Sequence, residues 1–386
     1  MPTSHRPAFV AAVDNPAWAA VRPPSGTAAS HPLATSLVIQ FSGIPMYKPV
    51  DLLTQFSGLQ GMLWVALGVL VLLGTAEART YRDPIDLPAQ FSAAASQSLL
   101  LDIVNRSGRL IAVGERGHIL FSDDQGLSWR QAEVPTRSHL NAIAFSDENT
   151  GWAVGEDQVL LQTRDGGLSW SLVSDGRDAD QKGPLLDIHF NSQSEGFAIG
   201  VFNKLLHSRD GGQNWLSWEA HIDNLDEWHL FAIAAGQEGH WYIASEMGLL
   251  FRSVDGGESF APIQTDHGGS FHGILARPGE DGLDRVVLFG VGGVLYTSVD
   301  GGEQWKRVNT GTETGLAGAT WLADGSALIV GADGLILLLN SELTQVKQHL
   351  IENGLPLSAV SLTENNRATL VGLGGVQSLS IQEFLP

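Results

Sequence analysis

From about residue 99 onward, short apolar runs alternate with glycine- and aspartate-rich breaks, and no helical period is sustained. Seven runs have one shape, an apolar stretch closed by a small residue: LIAVG ending at Gly114, WAVG at Gly155, FAIG at Gly200, YIAS at Ser245, VLFG at Gly290, LIVG at Gly331 and LVG at Gly372. Their spacings are 41, 45, 45, 45, 41 and 41 residues. Each is preceded by another apolar run, such as LLLDIVN or LLDIHF, and followed by a tight turn and a third run. After five of them comes a fourth, more polar segment such as WRQAEVP. Periodic short strands of this kind are the mark of a repeat architecture.

The turn before the fourth segment is itself patterned. SDDQGLSW, TRDGGLSW, SRDGGQNW, SVDGGESF and SVDGGEQW all fit Ser/Thr-x-Asp-x-Gly-x-x-Trp/Phe. Their aspartates are Asp124, Asp165, Asp210, Asp255 and Asp300. An Asp here can accept turn N–H groups, the Ser/Thr hydroxyl can lock it, and the Gly can take a positive φ. The aromatic residue can tuck beneath the turn. The box is therefore expected to build the fold. As a calcium site it lacks the later bidentate Glu that an EF-hand loop needs.

Seven units of four short strands predict an all-β, seven-bladed β-propeller over 79–386, with about 44 residues per blade. The last repeat ends after three strands, so Ile85 to Phe91 is expected to supply the outer strand of the seventh blade and latch the ring.

Residues 1–45 have no such pattern, being rich in Ala, Pro and Ser, and read as an extension outside the native fold. Met62 to Gly74 is apolar but too short to span a bilayer comfortably, and Ala76-Glu77-Ala78 follows it. Residues 46–78 are therefore expected to be a signal peptide, making the protein exported. The chain has no Cys, which removes disulfides and thiolate metal sites. A formal charge of -20 excludes a nucleic-acid backbone as partner.

Leu185-Leu-Asp-Ile-His-Phe-Asn-Ser-Gln-Ser-Glu-Gly-Phe-Ala-Ile-Gly200, continuing into its box, resembles the photosystem II stability/assembly factor family, as does Ala142 to Gly155. The box is similar to the Asp box, or bacterial neuraminidase repeat, of sialidases and sorting receptors. The resemblance covers essentially all of 95–380 and implies a non-enzymatic scaffold in the periplasm or thylakoid lumen. Its client would be an envelope membrane protein: photosystem II in a photosynthetic source, otherwise a transporter or other complex. No cofactor and no small-molecule substrate are expected, and the protein alone is expected to be a monomer.

The rival class is a glycoside hydrolase. A sialidase needs three converging Arg, and none of the seven inner-strand runs, LLLDIVN to LSAVSL, carries an Arg. A general glycosidase needs only two carboxylates, for which Asp102 and Asp187 beside the central channel are candidates, with His272 nearby. The His residues have no metal-ligand spacing. Partner-binding candidates lie on the face carrying the strand-two to strand-three turns and the blade-to-blade connections. They are Arg116, Arg137, Arg177, Lys182 and Lys204, a local reversal of the overall charge, and Trp228 as an aromatic anchor.

Overall fold

The computed structural model describes residues 82–364 and 367–383. The chain divides into units Met1–Arg79 and Thr80–Pro386, and all described residues belong to the second. The expected extension and signal peptide lie outside the described residues.

Seven antiparallel sheets follow one another in chain order, at 100–131, 140–174, 185–217, 230–264, 271–307, 316–350 and 357–380. These are blades one to seven. The first six have four strands and the seventh has three. Within each sheet the strands are ordered as in the sequence, so every connection is a hairpin and the innermost strand comes first.

The near-continuous apolar runs of the second strands now have a cause. In blade one, Ile111 and Val113 join one buried cluster, shared with blade two. Leu110 and Ala112 point the other way, into a cluster shared with blade seven. Successive side chains on a strand face opposite sides, and here both sides are covered, so both sets must be apolar. There are seven such clusters, one for each junction between neighbouring blades. Trp152, fully buried, stacks on Phe190 across the junction of blades two and three with ring centroids 4.0 Å apart. Truncating such a Trp to Ala costs about 3–5 kcal/mol.

The glycine closing each second strand answers to space. Its backbone is extended at Gly114, with φ -178°. A Cβ there would lie 2.2 Å from the Leu99 carbonyl oxygen, and at Gly155 it would lie 1.9 Å from that of His139. A register shift in the first strand presses the two backbones together at this point. Blade four uses Ser245, whose hydroxyl donates to the His229 carbonyl at 2.7 Å.

Ring closure differs from the sequence expectation. Residues 85–91 are not a strand of the seventh blade, which has three strands among the described residues. Pro84–Asp86 forms a short 3-10 helix capped by Asp83, and Ile85 is buried in the cluster between blades one and two. The Ala89 amide donates to the Val134 carbonyl at 3.0 Å, and the Arg137 amide donates to Pro84 at 2.9 Å. The segment is thus drawn over blade one, because Ile85 and Ala89 find an apolar seat there. Ala95–Gln97, a second 3-10 turn, lies against the Gly375 turn of blade seven. The ring closes by face packing: Leu100 and Ile103 of blade one meet Ala359 and Val371 of blade seven, and Asn105 Nδ2 donates to the Leu362 carbonyl at 2.6 Å.

Candidate functional site

Asp102 and Asp187 start from inner strands and line a central channel cavity of about 200 Å³, together with His272, Asn141 and Phe231. Both carboxylates are engaged by backbone amides. Asp102 accepts the Ile103 amide at 2.8 Å and, across the junction, the Ile143 amide of blade two at 2.9 Å. Asp187 does the same with Ile188 at 2.7 Å and Ile233 of blade four at 2.8 Å. Both are inter-blade staples. Desolvation pushes both carboxyls upward, Asp187 to about 7; the Ile233 amide opposes this, and the charge of Asp102 adds to it. A glycosidase pair instead needs oxygens free to hold a leaving group or a water.

The five boxes fold alike. In the second, Thr163 Oγ1 donates to Asp165 Oδ1 at 2.8 Å and accepts the Gly167 amide at 3.0 Å. Asp165 Oδ1 also accepts the amides of Leu168 and Ser169, each at 3.0 Å. Gly167 sits at φ 89°, and the indole N–H of Trp170 donates to its carbonyl at 3.2 Å. Sequence reasoning missed one partner: the residue before the aromatic donates to the second carboxylate oxygen. Ser128, Ser169, Asn214 and Ser259 all do this, at 2.5, 2.5, 2.6 and 2.6 Å. The recurrence of a small polar residue there was the available signal. With such donors, led by the Ser128 hydroxyl, the Asp124 carboxyl is held down at about 2. The other boxed aspartates are shifted the same way.

The basic set is brought together only in part. Arg116 stands at the tip of the blade-one turn with its side chain 74% exposed, and its ion-pair partner among the described residues is Glu115, at 4.0 Å. Arg137 is half-buried and spends its Nε on the Pro88 carbonyl at 2.8 Å. Arg177 bridges Asp175 and Asp86 at 2.7 and 2.8 Å. Lys182 Nζ donates to the carbonyls of Gly176 and Arg177 at 2.6 and 2.7 Å. Lys204 pairs with Glu219 at 3.0 Å. Arg137 and Arg177 thus clasp the N-terminal segment onto the ring. Trp228 is half-buried, with its backbone N–H and carbonyl both held by the Asn224 side chain.

One further carboxylate was not read from the sequence. Asp284, fully buried between blades four and five, accepts the Gln237 amide at 2.7 Å and the Tyr242 hydroxyl at 2.8 Å, with His240 Nδ1 at 2.7 Å. Tyr242 is buried as well, so the contact between it and Asp284 is packed inside the wall. Among the described residues no group of three His, Asp or Glu could hold a metal ion.

Residues 121–183 and 175–276 match the family model of the photosynthesis system II assembly factor YCF48. Over these residues, less than half of the chain, the sequence is similar to that assembly-factor family. The chloroplast photosystem II stability/assembly factor HCF136 of Cyanidioschyzon merolae is 43% identical over 67 residues, covering 17% of this chain and 14% of that protein. The photosystem II assembly protein Ycf48 of Synechococcus sp. (strain JA-3-3Ab) is 44% identical over 52 residues, 13% of this chain and 16% of its own length. The curated relatives are thus matched over only a small part of their length. A solved structure of YCF48 bound to a D1 peptide superposes with TM-score 0.58 over 77% of this chain and 97% of that one, at 18% identity. The WD40 propeller of Doa1 gives 0.57 at 13% identity, so structural likeness alone speaks to the propeller and not to its use. The assembly factor-like sequence match runs from the end of blade one to the start of blade five and takes in the first four boxes.

Proposed function

We propose that this protein is an exported, non-enzymatic scaffold that holds a membrane-protein client during its assembly, with a photosystem II D1-like segment as the client. The observation that carries this is the family match over 121–183 and 175–276. A structure of YCF48 bound to a D1 peptide supports the choice of client. The engagement of Asp102 and Asp187 as inter-blade staples supports binding rather than hydrolysis as the use of the surface. The client face is the one bearing the strand-two to strand-three turns, with Arg116 as the basic side chain presented to it. The other four basic residues would add their charge to this face while remaining tied to their own partners. The leader at 46–78 would deliver the mature chain, starting at Arg79, to the lumen or periplasm.

The test is direct. Overlapping synthetic peptides tiled across D1 are titrated against the full chain, and binding is expected for at least one, weakened by Arg116→Glu and by added salt. Binding by no peptide would remove D1 as the client. Cross-linking in membranes would then identify another envelope complex.

A further inference from the structure

The tips of the strand-two to strand-three turns of blades one to six have a left-handed backbone. Arg116, Asp157, Phe202, Met247, Gly292 and Asp333 have φ of 57°, 59°, 54°, 54°, 67° and 56°. Gly and Asp tolerate that conformation, whereas Phe and Met are strained in it. Burial does not repay the strain, because Phe202 is 43% exposed and Met247 is 50% exposed. Beside them, on the connection between blades three and four, Leu225 is 93% exposed. The three positions form one surface. The Phe202 amide donates to His229 Nδ1 at 3.2 Å, and the two rings lie 4.8 Å apart. His229 lies 3.9 Å from Glu246, the neighbour of Met247. Asn224, next to Leu225, donates to Asn203 Oδ1 at 2.8 Å. The rim is acidic, with Asp223, Asp226 and Glu227 all exposed, and Lys204 nearby is already paired with Glu219.

We propose that this apolar, acid-rimmed patch on blades three and four docks a protein segment in which apolar anchors alternate with Lys or Arg. Strained, exposed apolar side chains cost the free protein stability and solubility, and a partner that covers them removes the exposure. The acidic rim selects the sign of that partner and disfavours an anionic membrane surface. A second copy of this chain is disfavoured on the same ground, because a two-fold contact would oppose one acidic rim to another. This inference needs a segment of stated chemistry, not D1, and so stands apart from the client named above.

The experiment selects a random dodecapeptide display library on the immobilised full chain, then measures the enriched peptides in solution by fluorescence anisotropy. Enrichment of aromatic or aliphatic residues flanked by Lys or Arg is expected. Affinity should fall about tenfold or more in the combined variant Phe202→Asn, Leu225→Ser, Met247→Gly. Asn and Gly suit a positive φ, so the melting temperature of that variant should hold or rise. Asp226→Lys with Glu227→Lys should weaken binding most at low salt. Enrichment without the basic-apolar pattern, or peptides that bind the combined variant as well as the parent, would overturn the proposal. So would self-association of the parent chain that the combined variant abolishes, since a second copy would then occupy the patch. Failure of every D1 peptide would leave this result untouched.

Discussion

The carboxylate of Asp187, on the inner strand of blade three, accepts the backbone N–H of Ile233 on the inner strand of blade four at 2.8 Å. Blades one and two are joined in the same way by Asp102 and Ile143. Inner strands face the channel, where neighbouring blades are not hydrogen-bonded as a sheet, so each staple adds a polar link beside the apolar cluster of its junction. Ala142 and Ala232 occupy the corresponding positions in blades two and four and can make no such bond.

The staple has a pH signature. Because folding raises the Asp187 carboxyl to about 7, chiefly through desolvation, the folded state holds its proton more tightly than the unfolded chain. The stability this contributes is fully present below about pH 4 and is lost as pH rises through about 7. Asp187→Asn does not titrate. The melting-temperature advantage of the parent over Asp187→Asn should therefore shrink between about pH 4 and pH 8. A gap that stays constant or widens over that range would contradict the assignment.

The boxes respond to acid in the opposite sense. Burial works against the ionised form of Asp165, but the hydrogen bonds from Ser169 and Thr163 outweigh it and hold the carboxyl low. Removing that acceptor by Asp165→Ala strands two amides and two hydroxyls, at a cost of about 1–3 kcal/mol in denaturant unfolding. Ser169→Ala removes only the donor to the second oxygen and should cost about 1 kcal/mol or less. A larger loss for Ser169→Ala than for Asp165→Ala would mean that the box is not centred on its aspartate.

Asp284 should be the more sensitive carboxylate. It is fully buried and accepts from Gln237 and Tyr242 beside His240, so Asp284→Ala leaves buried polar groups without partners. A loss of about 3–5 kcal/mol is expected from breaking such a buried network. Thermal unfolding reads it, and a variant as stable as the parent would show that water replaces the carboxylate without cost.

The repeats were legible because both faces of every blade are covered. That demand writes an apolar run and a close-approach glycine into each unit, at Gly114, Gly155 and their counterparts. The box was legible for the same reason, as each copy solves one turn with one set of side chains. Ring closure was not. Residues 84–97 lie outside the repeat, and whether Ile85 seats on blade one or pairs with blade seven depends on neighbours distant in sequence. The partners of the basic set were not legible for a related reason. Charge and loop position can be counted along the chain, but the partners of Arg137 and Arg177 belong to the segment whose path was missed. Asp284 gave no motif at all, because its three partners come from blade four.

The clasp and the client face can therefore be separated by charge reversal. Arg116 has its side chain largely in water, so Arg116→Glu should leave the melting temperature nearly unchanged while weakening client binding, most visibly at low salt. Arg137 holds the Pro88 carbonyl, and its backbone amide holds Pro84. Arg137→Glu should loosen the segment over blade one and lower the melting temperature. Ile85→Ala should do so more strongly, by about 2–4 kcal/mol, because it empties the apolar seat that Ile85 fills. Proteolysis supplies the second readout: cleavage between 84 and 92 should accelerate in Arg137→Glu and Ile85→Ala but not in Arg116→Glu. If Arg137→Glu weakened client binding with no change in melting or cleavage, Arg137 would be a contact rather than a clasp. If Arg116→Glu destabilised the ring as much as Ile85→Ala, the exposed tip of blade one would be part of the closure, and the client face would have to be sought elsewhere on the propeller.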